Sequence, residues 1–208
     1  MNAYRLLYGT GNPAKLDAMR DWLKELPVII DGLDKNTPDV PEDGQTPLQN
    51  ARQKALYYFE AYRRPVFSCD SGLLLPEVPL EKNPGVHTRR PEGRPLTDEE
   101  MLAYYASLVR QYGKAGYLRA LYQNAVCMIL EDGEIFEYDG EDICSGEFLL
   151  ADTPHPLRTP GWPLDSLSVS AETKKYWFDL SCAEREKSHK DIRPGFVRFF
   201  QKALAYGS

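Results

Sequence analysis

A helix followed at once by a buried strand that ends in a carboxylate most constrains how this chain folds. Residues 46–62 begin with a capping sequence and continue with apolar side chains at helical spacing. The apolar run at residues 65–69 predicts a buried strand, with Asp70, Ser71 and Gly72 at its end. Since α/β proteins gather functional side chains where such strands end, we expect Asp70 to belong to a site.

The same alternation of strand and helix fills the first half of the chain, and hairpin patterns dominate after it. The predicted strands lie at residues 4–8, 28–30, 65–69, 117–130, 134–138 and 143–150, and the predicted helices begin near residues 13, 46, 97 and 194. This pattern predicts a mixed α/β fold in one bilobed domain over residues 1–208.

The net charge of -6 argues against a protein that grips a nucleic-acid backbone, so an anionic ligand would need local positive charge. The four cysteines are scattered, without the spacing of a disulfide framework or a zinc site. No signal peptide or apolar run of membrane-spanning length is apparent in the sequence. We therefore expect a cytoplasmic protein without nucleic-acid or membrane partners.

A glycine turn joins the first predicted strand to the first helix. Gly9, Gly11 and Ala14 match the dinucleotide-binding pattern G-x-G-x-x-A, and Asp31 follows the next strand. A tight turn with a good helix cap explains the same residues. In both cases the helix N-terminus and Lys15 favour an anion, so the turn predicts phosphate binding.

Two carboxylates, Glu42 and Asp70, form a second set of site residues. A carboxylate on a loop is usually solvated, and alone it indicates little. Asp70 differs because it follows a buried strand, and Mg²⁺ is typically held by one or two carboxylates together with substrate phosphates. The helix between the two residues could bring both to one place, where we expect a metal.

Four segments occur in an order that is typical of one enzyme family. They are Thr10-Gly11-Asn12-x-x-Lys15, Glu42-x-Gly44-x-Thr46-x-x-x-Asn50-Ala51-x-x-Lys54-Ala55, Asp70-Ser71-Gly72-Leu73 and Pro84-Gly85-x-x-x-x-Arg90. Together they resemble the inosine triphosphate pyrophosphatase family. Two later segments are similar to its base-binding and C-terminal motifs: Gly161-Trp162-Pro163-Leu164-Asp165, and Glu186-Lys187-Ser188 followed by Arg193.

The resemblance implies an elongated α/β fold with a mixed sheet flanked by helices and two lobes around a central cleft, commonly in a homodimer. It also implies a hydrolase that cleaves deaminated purine nucleoside triphosphates such as ITP, dITP and XTP to the monophosphate and pyrophosphate. The cofactor would be Mg²⁺, with Mn²⁺ as a second choice, and the function would be sanitation of the nucleotide pool.

The resemblance also assigns roles to individual residues. Asp70, Glu42 and Lys15 would be catalytic, Glu42 and Asp70 would bind the metal, and Asp70 would orient or deprotonate the attacking water. The substrate would be bound by Thr10, Gly11, Asn12, Lys15, Ser71, Trp162, Asp165, Lys187 and Arg193.

Some positions depart from the family pattern. Cys69 stands where the family usually has an aspartate, which would weaken Mg²⁺ binding or change the preferred metal, unless Cys69 is only a small buried residue. Ile192 replaces the histidine expected before Arg193. Trp162 could equally pack in a core, and Lys187 lies in a charge run of the kind that is usually solvated.

Two other functions therefore stay open. The first is a nucleotide-binding protein of the same fold with an altered substrate or lost catalysis, which the departures favour. The second is a dinucleotide-binding oxidoreductase, which the glycine turn and Asp31 favour but which leaves Glu42 and Asp70 unexplained.

Overall fold

The structure is a computed structural model that describes residues 3–34, 36–38, 40–188 and 190–206. The helices are α1 (Pro13–Trp22), α2 (Pro47–Tyr62), α3 (Asp98–Tyr112), α4 (Cys182–Ser188) and α5 (Arg193–Tyr206). The strands are β1 (Tyr4–Tyr8), β2 (Val28–Asp31), β3 (Val66–Leu74), β4 (Tyr117–Ile129), β5 (Ile135–Tyr138), β6 (Phe148–Ala151) and β7 (Ser168–Val169).

The strands form a mixed sheet in the order β2-β1-β3-β4-β6-β7, and β5 also pairs with β4. β1 runs parallel to β2 and β3, whereas β4 is antiparallel to β5 and β6, and β6 is antiparallel to β7. Because parallel neighbours need a crossover, the helices of the first half connect these strands. The predicted α/β class, a mixed sheet flanked by helices, is confirmed.

The chain divides into two compact units. Unit 1 comprises Met1–Ser71, Gln123–Cys144 and Ile192–Ser208, and unit 2 comprises Gly72–Tyr122 and Ser145–Asp191. Each unit has hydrophobic clusters of its own. The helices within the described ranges lack the combination of length and hydropathy that a membrane crossing requires.

One face of the unit 1 strands packs against α1 and α5. Leu6, Tyr8 and Phe67 are buried there with Met19 of α1 and Phe200 of α5. The rings of Tyr8 and Phe67 stack with their centroids 4.4 Å apart, and Phe67 meets Phe200 edge to face. This aromatic layer fixes the end of β1 beside the start of β3.

The other face of the same strands packs against α2. Leu7 and Val66 are buried there with Ala51, Ala55 and Tyr58 of the helix. The small alanine side chains let the helix approach the sheet closely. Because side chains alternate along a strand, every second residue of β3 from Val66 onward faces α2.

β3 is longer than the sequence predicts. The expected strand ends at residue 69, but β3 continues to Leu74, so Asp70 lies within the strand and not in a loop after it. The extension has a tertiary cause: the backbone N–H of Leu73 donates to the carbonyl oxygen of Gly85 at 2.9 Å, and β3 is hydrogen-bonded along the sheet to β4. A local hydrophobic pattern cannot contain that partner.

Unit 2 is built around α3. Leu102 and Tyr105 of this helix are buried with Leu73, Leu118 and Leu150. The helix begins with the predicted capping box: Thr97 Oγ1 accepts from the backbone N–H of Glu100, whose carboxylate accepts from the N–H of Thr97.

Two other elements differ from prediction. The strand expected at residues 143–150 is confined to Phe148–Ala151, and Glu141–Ile143 forms a 3₁₀ turn instead. The capping box expected at the start of α2 is incomplete, because the Gln49 side chain accepts from the N–H of Gln45 and not from that of Thr46.

Candidate active site

Helix α2 presents two polar side chains, Asn50 and Lys54, to strand β3. The helix is anchored at its start, where Thr46 Oγ1 accepts from the backbone N–H of Gln49 at 3.2 Å. Residues four apart lie one above the other on a helix, so Asn50 and Lys54 share one face beside the alanines that touch the sheet. The same packing that buries the alanines therefore brings these two side chains to Asp70.

The structure brings the two predicted carboxylates together around one ammonium group. Lys54 Nζ lies 2.8 Å from Glu42 Oε1 and 3.0 Å from Asp70 Oδ1. The side chains of Lys54 and Asp70 are 12% and 8% exposed, and that of Glu42 is 33% exposed. A cation bridges the carboxylates at the place where the sequence predicts a metal.

Asn50 is the fourth member of this cluster, beside Glu42, Lys54 and Asp70. Its side chain is fully buried, its Nδ2 donates to Asp70 Oδ2 at 3.0 Å, and its Oδ1 accepts from the backbone N–H of Gly44 at 2.9 Å. A Cβ at position 44 would lie only 2.6 Å from Asn50 Oδ1, so the close approach requires glycine.

The charges of the cluster compensate one another. Burial lowers the pKa of Lys54, but the charges of Asp70 and Glu42 outweigh burial and leave its pKa raised, so Lys54 is an ammonium. Burial and then the charge of Lys54 lower the pKa of Lys15, while Asp70 and Glu42 act in the opposite direction. Lys15, half-buried on the first turn of α1, therefore lies within electrostatic reach of both carboxylates.

Cys69 belongs to the opposite face of β3. It is buried in the cluster that contains Tyr8 and Phe67, whereas Asp70 faces α2. Burial raises the pKa of the Cys69 thiol to about 12, so the group is neutral near pH 7. Of the two interpretations of Cys69, the structure favours the small buried residue over a metal-binding thiolate.

The predicted phosphate-binding turn lies beside the start of β3. The backbone N–H of Gly9 donates to the carbonyl oxygen of Phe67 at 2.8 Å. A Cβ on Gly9 would lie 2.2 Å from Ser68 Oγ, so packing against β3 alone accounts for this glycine. The first glycine of the G-x-G pattern thus has a structural explanation that involves no ligand.

The following residues form the predicted cap of α1. Asn12 Oδ1 accepts from the N–H of Ala14 at 2.9 Å, and Thr10 Oγ1 accepts from the N–H of Asn12 at 3.2 Å. In the latter bond the Thr10 hydroxyl acts as the acceptor, so its own hydrogen takes no part in that bond. Gly11, between them, is exposed at the tip of the turn.

Asp31 has partners that leave no role for the dinucleotide interpretation. Its carboxylate accepts from Arg5 Nε at 2.8 Å and also pairs with Arg64. The hydrogen bond from Arg5 is the largest cause that lowers the pKa of Asp31. Asp31 therefore acts as a counter-ion for two arginines.

The predicted base-binding residues lie in unit 2. Trp162 is 37% exposed, so it is not the core residue that the alternative interpretation expects. It precedes the 3₁₀ turn Pro163–Ser166, in which the N–H of Asp165 donates to the carbonyl oxygen of Trp162 at 3.1 Å. Burial raises the pKa of Asp165 to about 6, against a smaller opposite effect of its hydrogen bond with Thr159.

The remaining predicted residues are spread over three elements. Ser71 is half-buried in β3, Lys187 is exposed in α4, and Arg193 is exposed at the start of α5. Ile192, at the position of the family's histidine, packs against the main cluster of unit 1.

Asn50 and Lys54 are functional residues that sequence patterns alone do not reveal, although both stand in the motif that carries Glu42. The available signal was a pair of polar residues, one turn apart, directly beside the buried Ala51 and Ala55. A polar side chain at the margin of a buried helix face needs a partner, and here the partner is Asp70.

The donor set fits a hard divalent cation. Among the described residues no group of three or more His, Cys, Asp or Glu side chains could hold a metal ion. Glu42 and Asp70 nevertheless converge on one point, which Lys54 Nζ occupies. Mg²⁺ keeps several waters and needs only one or two carboxylates beside substrate phosphates, so this pair suits it.

Comparisons with known proteins agree on one family. The model of the Ham1 family matches residues 6–162. A dITP/XTP pyrophosphatase of Rhodopirellula baltica is 37% identical over 192 residues, which are 90% of this chain and 88% of that protein. One from Synechocystis is 29% identical over 186 residues, which are 89% of each chain.

Solved structures show the same fold. A HAM1 protein from Coxiella burnetii matches with a TM-score of 0.72 at 20% identity, over 98% of this chain and 99% of that chain. The Staphylococcus aureus Ham1 protein matches with a TM-score of 0.69 at 20% identity, over 98% of this chain and all of the other. The resemblance to the inosine triphosphate pyrophosphatase family is confirmed, and the chain belongs to the Ham1 family.

Proposed function

We propose that this protein hydrolyses deaminated purine nucleoside triphosphates to the monophosphate and pyrophosphate, with dITP and XTP as the first substrates to test. The observation that carries the proposal is the convergence of Glu42 and Asp70 on Lys54 Nζ, at 2.8 and 3.0 Å. The matched relatives named dITP/XTP pyrophosphatases support the choice of substrate. Such a hydrolase removes deaminated nucleotides before they enter nucleic acids.

The triphosphate would be held by the turn between β1 and α1. The start of α1 carries the positive end of the helix dipole, and Lys15 adds a full charge on its first turn. Thr10, Gly11 and Asn12 line the turn that leads into this helix. These groups supply local positive charge to a protein whose net charge is -6.

Glu42 and Asp70 would hold Mg²⁺, or Mn²⁺ in its place. When bound, the ion supplies charge neutralisation to the phosphate oxygens and to the leaving pyrophosphate. Lys54 would then transfer its hydrogen bonds from the carboxylates toward the anionic substrate, which attracts an ammonium group. Lys54 and Lys15 together would stabilise the charge that develops on the leaving group.

Asp70 would also prepare the attacking water. Its carboxylate accepts bonds at both oxygens, from Asn50 at Oδ2 and from Lys54 at Oδ1, and is therefore held in one orientation. The water oxygen attacks the α-phosphorus, the bond from that phosphorus to the bridging oxygen breaks, and pyrophosphate leaves. Asp70 would orient this water or accept its proton, and Ser71 would contact the substrate.

The base would be bound by Trp162, a residue of unit 2. Trp162 offers an exposed ring for stacking on the purine. Asp165, Lys187 and Arg193 would contact the edge of the base or the phosphates. The relatives do not favour the alternative of a binding protein without catalysis, since those matched over most of the chain are named as pyrophosphatases.

A panel of nucleoside triphosphates tests the proposal. Pyrophosphate release is measured from dITP, XTP, ITP, dATP and dGTP, with Mg²⁺, with Mn²⁺ and with a chelator. We expect dITP, XTP and ITP to be hydrolysed at least about tenfold more efficiently than dATP or dGTP, with the activity lost in the chelator. Equal rates on all five nucleotides would contradict the proposed selectivity.

The variant Asp70→Asn separates catalysis from binding. It keeps the shape of the side chain and removes its charge, so we expect kcat to fall by about 10³-fold, in the range for losing a charged group at a reaction centre. Asp43→Asn, on the same loop as Glu42 but paired with Gln53, is the control. Full activity of Asp70→Asn would refute the assigned mechanism.

We also propose that the protein acts in the cytoplasm as a homodimer, as the family resemblance implies. Sedimentation velocity at micromolar concentration, with and without dITP, gives its oligomeric state directly.

A further inference from the structure

We propose that Asn50 is the positioning residue of this site, which sets the geometry of Asp70 and of the Glu42 loop through one buried amide. The inference rests on the proposed function and adds to it a residue that touches neither substrate nor metal. Asn50 is fully buried, and both ends of its amide are used, at 3.0 Å to Asp70 Oδ2 and at 2.9 Å to the N–H of Gly44.

The bond to Asp70 fixes how that carboxylate is turned. Because Asn50 Nδ2 takes Oδ2, the other oxygen, Oδ1, is directed to Lys54 Nζ and toward Glu42. Without this bond the plane of the carboxylate could turn about the Cβ–Cγ bond, so that no oxygen would be aimed at the point where Glu42 and Asp70 converge. A hydrogen-bond donor behind a metal-binding carboxylate is the usual means of orienting it.

The bond to Gly44 fixes the loop that carries Glu42. Gly44 lies two residues after Glu42, and its N–H points into the buried amide of Asn50. A Cβ at position 44 would lie 2.6 Å from Asn50 Oδ1 and 2.8 Å from Gln49 Cβ, so the loop rests directly on the start of α2. One side chain thus couples two carboxylates that are distant in sequence.

A purely structural role for Asn50 makes a different prediction. A buried amide that only satisfies backbone and side-chain groups would affect stability alone. A positioning role also changes the turnover number and the response to metal, because misplaced ligands cost about 10- to 100-fold in metal affinity or activity.

The test uses Asn50→Leu, which keeps the branched shape and volume but makes neither hydrogen bond. Its matched control is Asn124→Leu in the same unit, which removes a partly buried hydrogen bond of 2.7 Å from Asn124 Nδ2 to the carbonyl oxygen of Ile143. Both variants are expected to lower the melting temperature, and circular dichroism and size-exclusion chromatography verify that both are folded.

For Asn50→Leu we expect kcat on dITP to fall by about 100-fold and the Mg²⁺ concentration for half-maximal activity to rise by about tenfold. The KM for dITP should change by less than about threefold, because Asn50 has no place among the substrate contacts. In Asn124→Leu all three quantities should stay within about twofold of the wild type, at temperatures below its melting transition.

A measurement without turnover accompanies the kinetics. Mn²⁺ binding is followed by electron paramagnetic resonance in the presence of α,β-methylene-dITP, whose bridging carbon blocks cleavage. We expect about tenfold weaker Mn²⁺ binding in Asn50→Leu and unchanged binding in Asn124→Leu. Should Asn50→Leu fail to fold, Asn50→Ser takes its place with the same expected direction.

The outcomes separate this inference from the proposed function. The inference would be overturned if a folded Asn50 variant had unchanged kcat, Mg²⁺ dependence and Mn²⁺ affinity. Pyrophosphatase activity of the wild type would still support the proposed function in that case. If the wild type released no pyrophosphate from any nucleotide, the function would fail, and the Mn²⁺ titration alone would decide the role of Asn50. Absence of Mn²⁺ binding to the wild type would overturn the assignment of a metal to Glu42 and Asp70, and with it this inference, while the pyrophosphate assay would still decide the function.

Discussion

The predicted site residues of the two units differ in how their charges are balanced. In unit 1, Glu42 and Asp70 share the ammonium of Lys54, and Asn50 takes the remaining oxygen of Asp70. In unit 2, Asp165 has a pKa raised to about 6 by burial, and Trp162 leaves 37% of its surface exposed. If unit 1 binds the phosphates as we propose, its site is organised in advance, whereas the proposed stacking surface of Trp162 remains open until a base covers it.

The largest effect should come from breaking the charge balance of unit 1 with Lys54→Met. The two carboxylates would lose their common partner, and removing one member of a buried ion pair costs about 3 to 5 kcal/mol in stability. We expect kcat/KM for dITP to fall by at least about 10²-fold, measured at saturating Mg²⁺.

The control for Lys54→Met lies on the same helix. Arg52 pairs with Glu137 at 3.3 Å, but its side chain is 52% exposed, so Arg52→Met should change stability by no more than about 1 kcal/mol.

Mg²⁺ should raise the melting temperature of Lys54→Met more than that of the wild type, because it can replace the missing cation. An equal response of the two proteins to Mg²⁺ would argue against a shared cation position.

A smaller effect, confined to substrate binding, should follow from Trp162→Ala in unit 2. Stacking of a base on an aromatic ring contributes about 1 to 3 kcal/mol, so KM for dITP should rise about tenfold or more while kcat changes little. Trp162→Phe keeps a stacking surface and should recover most of the loss. A large fall in melting temperature with an unchanged KM would instead assign Trp162 to packing.

The smallest effect concerns the pH dependence of the free energy of unfolding. It arises from the titration of Asp165 in unit 2. Its pKa is raised from an ordinary value of 3.8 to about 6, so the folded state holds the proton more tightly than the unfolded state. The protonated carboxyl contributes stability below about pH 4, and this contribution is lost as the pH rises through about 6.

Asp165→Asn removes this titration. We expect the variant to gain about 1 to 2 kcal/mol relative to the wild type between pH 4 and pH 7, measured by urea unfolding at both values. A difference that does not change with pH would contradict the raised pKa.

Site residues that are marked by a local sequence pattern could be predicted from the sequence. Asp70 stands out because it follows an apolar run. The start of α1 is signalled by the side-chain cap of Asn12 and by Pro13 at the first helical position, both of which involve only nearby residues. The α/β class was predictable for the same reason, since strand and helix periodicities are local.

What could not be predicted depends on partners that are distant in sequence. The length of β3 depends on its pairing with β4 and on the bond from Leu73 to Gly85, and the roles of Asn50 and Lys54 depend on the contact between α2 and β3. That Cys69 points away from the side of Asp70 could be predicted in part, because alternation along a strand places residues 69 and 70 on opposite faces.

The ammonium between Glu42 and Asp70 has a consequence for how the polypeptide matures. Many metal sites leave their carboxylates mutually repelling until the ion arrives, which makes folding dependent on metal supply. In this protein the Lys54 ammonium supplies a positive charge between the two carboxylates from within the chain itself. If the pair binds a metal as we propose, we expect a chelator to abolish the activity while the protein stays folded.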